Sequence, residues 1–356
     1  MKHLLTLIIL IPFYALGNSI DPLPMYSLQF YGEGYFGMST YQNRKFQEDF
    51  YYNHHQLRSP KINYAQVLFE KKFNTWQFQL GIHDGVYVRR NYADQPTISQ
   101  LLSHANIQYS AQKLPGLKIM AGIFPSHIGF ESVRSDANLT ASRSMLAENS
   151  PYYESGIQCQ YQPINNKWKL GIYLLTGWQQ AQIVTPAENW SVGWSSQYNP
   201  LSNWSIYYNG FKGFSHTASN QSRSYHNFYT QYQNNKWNII FGFDYGTAEV
   251  NSSKKEWYSP VGIVQMQCAK SCKMALRYEY MQVPSSNFLL IDGNTNWDRR
   301  TATSLNFDYT SKRNWLWRME YKQAWGLAYE NGNKDMNWRN NNLLLLSLSK
   351  SFQLSF

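Results

Sequence analysis

Along most of the chain, apolar and polar side chains alternate one by one. From Trp76, the series Trp76, Phe78, Leu80 and Ile82 is interleaved with Gln77, Gln79, Gly81 and His83. From Trp168, Leu170, Ile172 and Leu174 alternate with Lys169, Gly171 and Tyr173. From Trp237, Ile239, Phe241, Phe243 and Tyr245 oppose Asn238, Gly242 and Asp244; after Trp315, Trp317, Met319 and Tyr321 oppose Arg318, Glu320 and Lys322. Side chains two apart share one face of a strand. The period therefore predicts strands with one apolar face and one polar or small face, and no amphipathic helix of comparable length competes with them.

A phrase introduces many of these strands: a polar turn rich in Asn and Lys, then Trp or a basic residue. It occurs at Lys72–Trp76, Asn165–Trp168, Pro200–Trp204, Asn234–Trp237 and Lys312–Trp315, with variants at Lys113–Leu117 and Cys268–Cys272. A repeat can signal a propeller or solenoid, but those folds bury their strands in a dry core. Seven tight turns joining strands in pairs, plus a first and a last strand, predict 16 strands; dropping weak pairs leaves about 14 or 12. The starts fall near Pro24, Pro60, Trp76, Leu101, Leu117, Tyr152, Trp168, Trp190, Trp204, Tyr225, Trp237, Tyr258, Lys273, Arg300, Trp315 and Leu343. Both ends of the series lie on the short-turn side. The connections at the other side are longer: 39–59, 89–100, 126–150, 178–189, 211–222, 284–297 and 329–340, with a short one at 250–254.

Composition decides what such strands enclose. Aromatics make up 17% of the chain and charged residues only 15%, against roughly 25% charged in soluble proteins. Mean hydropathy is nevertheless −0.53, and no later segment offers the ~18 consecutive apolar residues of a spanning helix. An apolar exterior around a wet interior fits both facts, because alternation hides the apolar face from any average. The expected fold is all-β: a transmembrane, antiparallel, up-and-down barrel. Trp76, Trp168, Trp204, Trp237 and Trp315 recur in phase with the turns, and amphipathic indole rings suit a membrane–water boundary, so they are expected to form one girdle. The formal charge of +10 is spread over strands and loops, with no basic run beyond pairs such as Arg89-Arg90; no nucleic-acid partner is expected.

The first residues read as an export signal. Met1-Lys2-His3 is basic, Leu4–Leu16 is an apolar run of about 13 residues, and Ala15-Leu16-Gly17 is a small-x-small cleavage site. A membrane-spanning helix needs ~20 apolar residues, so residues 1–17 are expected to be a cleaved signal peptide and 18–356 the barrel. Of the three cysteines, Cys159 sits alone in a strand, while Cys268 and Cys272 flank a tight turn and could pair as a disulfide in an oxidising compartment. No CxxC or four-ligand zinc pattern is present, so neither metal nor cofactor is expected.

The most specific stretch is Asn138–Gly156, containing Ser142-Arg143-Ser144 and Ser150-Pro151-Tyr152, after Gly122-Ile123-Phe124-Pro125. It resembles the OmpL-like β-barrel porin family, in which a Gly-x-Phe strand end leads through a Ser-Arg-Ser loop into a Ser-Pro-Tyr-x-x-x-Gly strand. The resemblance is specific over some 45 residues, and elsewhere is one of barrel character. It implies a Gram-negative outer-membrane location in contact with the lipid bilayer and lipopolysaccharide, and passive passage of small hydrophilic solutes or ions. It also implies that the alternating terminal series Phe352, Leu354 and Phe356 is an address read by the outer-membrane assembly machinery. Porins are often homo-oligomers, although no interface signature stands out here. In many of them the third external loop narrows the lumen, which gives that role to 126–150, with Arg134, Asp136, Arg143 and Glu148 among its charged residues. Facing charges across a narrow pore set ion preference. Strand parity adds Lys118, Lys169, Arg277, Glu279, Arg318 and Glu320 as pore-lining candidates, and the basic excess leans the expectation weakly towards anions.

Catalysis by a barrel needs a more specific pattern than this chain has. His216 and Ser219 are three apart, which places them on opposite faces of a strand; His83 and Asp84, being adjacent, also diverge. No P-loop, GxSxG or HExxH motif occurs. The expectation is therefore a porin and not an enzyme. The alternative is a non-conducting barrel acting as adhesin or scaffold through its external loops.

Overall fold

In a computed structural model of the protein, described over residues 25–40, 51–93, 95–181, 190–214, 222–250, 253–283, 297–330 and 333–356, alternation has become a closed barrel. Sixteen strands follow one another around it: β1 (Met25–Ser39), β2 (Lys61–Lys72), β3 (Trp76–Asp84), β4 (Leu102–Ser110), β5 (Leu117–Pro125), β6 (Tyr153–Tyr161), β7 (Trp168–Leu175), β8 (Ser191–Leu201), β9 (Trp204–Phe214), β10 (Ser222–Gln233), β11 (Trp237–Val250), β12 (Ser253–Ala269), β13 (Cys272–Gln282), β14 (Trp297–Thr310), β15 (Leu316–Glu330) and β16 (Asn333–Ser355). Every neighbour in sequence is an antiparallel neighbour in the sheet, and β1 closes the circle by pairing with β16. Closure leaves no free edge, so the backbone groups of a spanning strand find partners without water. Among the described residues no helix is long and apolar enough to cross a membrane. The proposed signal segment 1–17 and the His216–Ser219 pair lie outside the described residues.

The seam is stapled by aromatics on the outer face. Phe30 stacks on Phe352 at 4.6 Å and Tyr26 on Phe356 at 5.8 Å. Tyr26 and Phe356 also exchange both main-chain hydrogen bonds, at 2.9 and 3.0 Å. Leu354 lies in the same exposed series.

The faces divide as the period predicts. Phe78, Leu80, Ile82, Leu170, Ile172, Phe241, Phe243, Trp317, Met319 and Tyr321 are exposed, while Asp244, Arg318, Glu320 and Lys322 between them are buried. Trp76, Trp168, Trp204 and Trp237 each open a strand on the short-turn side; Trp315 immediately precedes β15, and all but the half-buried Trp237 are exposed.

Four strands begin earlier than alternation indicates. β10, β12, β14 and β16 start at 222, 253, 297 and 333. The expected connection 329–340 is largely strand: Leu327 pairs with Trp338 and Tyr329 with Met336. At this long-loop end polar residues occupy both parities (Asn340, Asn341 and Asn342 in succession), so the period vanishes while backbone pairing continues. A second correction concerns Cys268 and Cys272, which are free thiols. A bulge between Gln267 and Ala269 sets Ala269, not Cys268, opposite Cys272, so the two sulfurs are not cross-strand partners.

Candidate functional site: the barrel interior

The connection between β5 and β6 turns inward. It carries a 3-10 turn at Ser135–Ala137, of which Ser135 is buried, and the fully buried α3 at Met145–Glu148 (the third of three short helices, after α1 Val86–Asn91 and α2 Thr97–Gln100). Near its start, His127 contacts Glu154 of β6 at 2.8 Å and the Gly210 carbonyl of β9 at 2.9 Å, and the Gly129 N–H donates to Asn227 of β10. Two glycines make room for it: a Cβ at Gly193 would come within 2.6 Å of the His127 ring, and one at Gly242 within 2.8 Å of the Phe130 ring. The space over these two inward glycines is therefore filled by the segment. Phe130, Leu139 and Leu146 also pack on Ile240, Val261 and Ile263, an apolar patch at inward positions, where the neighbouring strands carry mostly polar or small side chains.

Beyond Ser135 the wall holds the main chain of the segment. Arg318 donates to the carbonyls of Thr140 (3.1 Å), Asn138 (3.0 Å) and Ser135. Arg277 donates to the Ser142 carbonyl (2.7 Å) and to the hydroxyls of Thr140 and Ser142 (both 2.8 Å). Glu320 accepts from the Ser142 N–H and Glu279 from the Met145 N–H, each at 2.6 Å, while Asn306 accepts from the Ala141 N–H. Buried N–H and C=O groups require partners, and a non-repetitive segment cannot supply its own. The wall side chains do so here.

Those side chains are charge-balanced among themselves. Arg318 meets Asp308 through two nitrogens at 2.8 and 2.9 Å. Arg277 lies 2.9 Å from Glu320 and 3.5 Å from Glu279, with Glu131 of the segment at 3.9 Å, and Lys322 sits 2.7 Å from Glu279. Burial raises the Glu131 carboxyl above the usual carboxylate range, against the pull of Arg277 and Arg143. On β1, Glu33 accepts from Ser135 and Asn63 and contacts His54. The first connection joins the same assembly: the Tyr52 N–H donates to Glu148, and Lys322 lies over the Tyr51 ring at 4.0 Å.

The residues singled out from sequence thus fall into three groups. Arg277, Glu279, Arg318 and Glu320 come together, at most 3% exposed, beneath the segment. Within the segment, Arg134 and Asp136 pair with each other at 2.8 Å; Arg143 lies 3.8 Å over the Tyr152 ring, and Glu148 accepts from Tyr152 as well as Tyr52. Lys118 is exposed and Lys169 half-buried at the short-turn end, apart from the network. His83 is buried against Tyr64 while Asp84 is exposed and pairs with Arg89, so the two diverge.

Searching for charge alone missed the wall from β3 to β10. Its inward residues include Gln79, Gln158, Gln160, Gln197, Tyr173, Tyr207 and Tyr229, all of which line a cavity of about 280 Å³. A second cavity, of about 390 Å³, runs along β2 to β4 and is lined by Tyr64, Gln66, Ser103 and His104; both reach Pro125 and Ser126. Strand parity carries this signal, had amides and tyrosines been weighed beside charges.

The geometry has solved counterparts. The outer membrane channel DcaP of Acinetobacter baumannii superposes with a TM-score of 0.59 at 11% identity, covering 92% of this chain and 96% of that one. Pseudomonas putida OprB gives 0.58 at 8% identity, covering 92% and 94%. The trimer form of Vibrio cholerae OmpT gives 0.57 at 11% identity, covering 92% and 99%. Identities this low establish the fold alone. No curated protein matches the chain. Residues 27–352 match the family described as "Putative beta-barrel porin-2, OmpL-like". Barrel, interior and family match agree: the chain belongs to the OmpL-like β-barrel porins of the outer membrane.

Proposed function

We propose that the protein lets small hydrophilic solutes and ions diffuse passively across the outer membrane, with the segment 126–150 narrowing the lumen. The observation that carries this reading is the uneven interior. Charges on β13 to β15 and β1 are neutralised against the segment, while two cavities meeting at Pro125 and Ser126 follow β2 to β10. In this reading Arg277, Glu279, Arg318, Glu320, Arg143 and Glu148 fix the constriction, and Lys118 and Lys169 meet the permeating ion. Two lysines at the short-turn mouth favour a weak anion preference, since rings of fixed charge set ion selectivity.

The same reading makes residues 1–17 a cleaved export signal and assigns Trp76, Trp168, Trp204, Trp237 and Trp315 to the periplasmic interface. It assigns Phe352, Leu354 and Phe356 to recognition by the assembly machinery, and the outer rim to contact with lipopolysaccharide. Association into a homo-oligomer is part of it, by analogy with the OmpT trimer form.

Planar-bilayer recording of the purified protein tests the proposal. Discrete ion conductance is expected, with a reversal potential under a salt gradient on the anion side. A folded barrel that conducts nothing would overturn it in favour of an adhesin or scaffold.

A further inference from the structure

The cavity between the segment and β5 to β10 is chemically unlike the rest of the interior. Gln160 donates to Gln158 at 3.3 Å and to the Tyr173 hydroxyl at 2.9 Å, and that hydroxyl lies 3.0 Å from Ser195 Oγ. Tyr207 and Tyr229 stack at 4.1 Å with an interplanar angle of 10°. Among the described lining residues Lys169 has no acid beside it, and on this side His127 Nδ1 lies 2.8 Å from a carboxylate oxygen of Glu154. Amides and hydroxyls both donate and accept. A permanent ion entering this array would shed its water and find at most the single charge of Lys169 at the short-turn end among otherwise neutral groups, which leaves most of the desolvation unrepaid. A neutral molecule bearing many hydroxyls would exchange its water hydrogen bonds for equivalent ones and lay an apolar ring face on a tyrosine. The volume of about 280 Å³ is near the lower end of small-molecule sites, roughly 300–1,000 Å³.

We propose that this cavity is a binding subsite for a neutral polyhydroxylated solute of the sugar class, held by the Gln158–Gln160–Tyr173–Ser195 chain and the Tyr207–Tyr229 stack. The inference rests on the diffusion reading above and adds a retention step to it. Binding must stay weak, because a solute that enters has to leave again.

Sucrose is the probe, added to planar bilayers holding the full-length purified protein. The expected result is a saturable fall in single-channel current, with a half-blocking concentration raised about tenfold in Tyr207→Ala and in Gln160→Ala, the loss of one good contact. Gluconate, matched in hydroxyls but anionic, is expected to block less. Three results would overturn the proposal. Sucrose could lower the current linearly and equally in all three proteins, as viscosity does; ion conductance then stands and only the subsite falls. Gluconate could block more tightly than sucrose, which would make the site one for acidic solutes. Absence of any current in sucrose-free buffer removes the channel and the subsite together. Equal electrophoretic mobility of the folded barrels checks that the variants assemble.

Discussion

The two halves of the interior are built from the same strand pattern and end in opposite chemistry. From β13 through β15 to β1, inward positions carry Arg277, Glu279, Asp308, Arg318, Glu320, Lys322 and Glu33, all nearly inaccessible. From β3 to β9 they carry chiefly Gln, Asn, Ser and Tyr, and adjoin the cavities. Buried, paired charge in this barrel therefore marks where the wall grips the segment most tightly, while mostly neutral groups line the cavities. Buried ion pairs tolerate no missing partner, because the survivor is left uncompensated, so the charged half is fit for holding something fixed. Neutral hydrogen-bonding groups can be wetted or occupied at small cost, so the other half is fit for passage.

Breaking the charged half should give the largest effect. Arg277→Met removes the guanidinium shared by Glu279, Glu320, the Thr140 hydroxyl and the Ser142 carbonyl. A loss of about 3–5 kcal/mol in the docking of the segment is expected, read as new trypsin cleavage at Arg134 or Arg143 in an otherwise intact barrel, with larger and noisier current. Protection equal to wild type would show that the network is not the anchor.

The matching change on the neutral wall should be much milder. Gln160→Ala removes neutral hydrogen bonds worth about 0.5–1.5 kcal/mol each and should leave the segment uncut. Cleavage as fast as in Arg277→Met would erase the distinction between the halves. Lys169→Gln probes the mouth. One charge in a wet lumen is worth about 1 kcal/mol, so the chloride-to-potassium permeability ratio should fall up to about fivefold, measured as a reversal-potential shift towards cations.

The smallest effect concerns Glu131, whose carboxyl is raised by burial. A raised acid takes up a proton on docking, so docking weakens as pH climbs from the ordinary carboxylate range through the raised value, and is level above it. Glu131→Gln should flatten that slope in the trypsin assay; a slope unchanged in the variant would assign the titration to another group.

Much of this was legible in the residues. The Trp-turn phrase located β3, β7, β9 and β11 to the residue, because a tight turn and an interfacial ring constrain the same position. Alternation assigned the faces of Arg318, Glu320 and Lys322. What it left out is depth and partnership. Parity says that Arg277 points inward, but not that a segment 135 residues earlier in the chain waits there to accept its hydrogen bonds. Ile263 faces inward like its cross-strand partner Arg277, but it is fully buried because Leu139 and Leu146 cover it, a contact between distant stretches that no local period encodes. The thiols of Cys268 and Cys272 were misjudged for a similar reason: one bulge residue changes which side chains meet.

Arg318, Arg277, Glu279, Glu320 and Asn306 grip carbonyls and amides of 135–145 more than its side chains. A clasp of that kind reads spacing and is nearly blind to residue type. Related chains can therefore exchange most side chains of this stretch, retuning the opening beside it, while keeping its length. Insertion or deletion of a single residue between Ser135 and Met145 would shift the carbonyls and amides on one side of it past their partners together. Substitution along a path of constant length is thus the change this clasp tolerates.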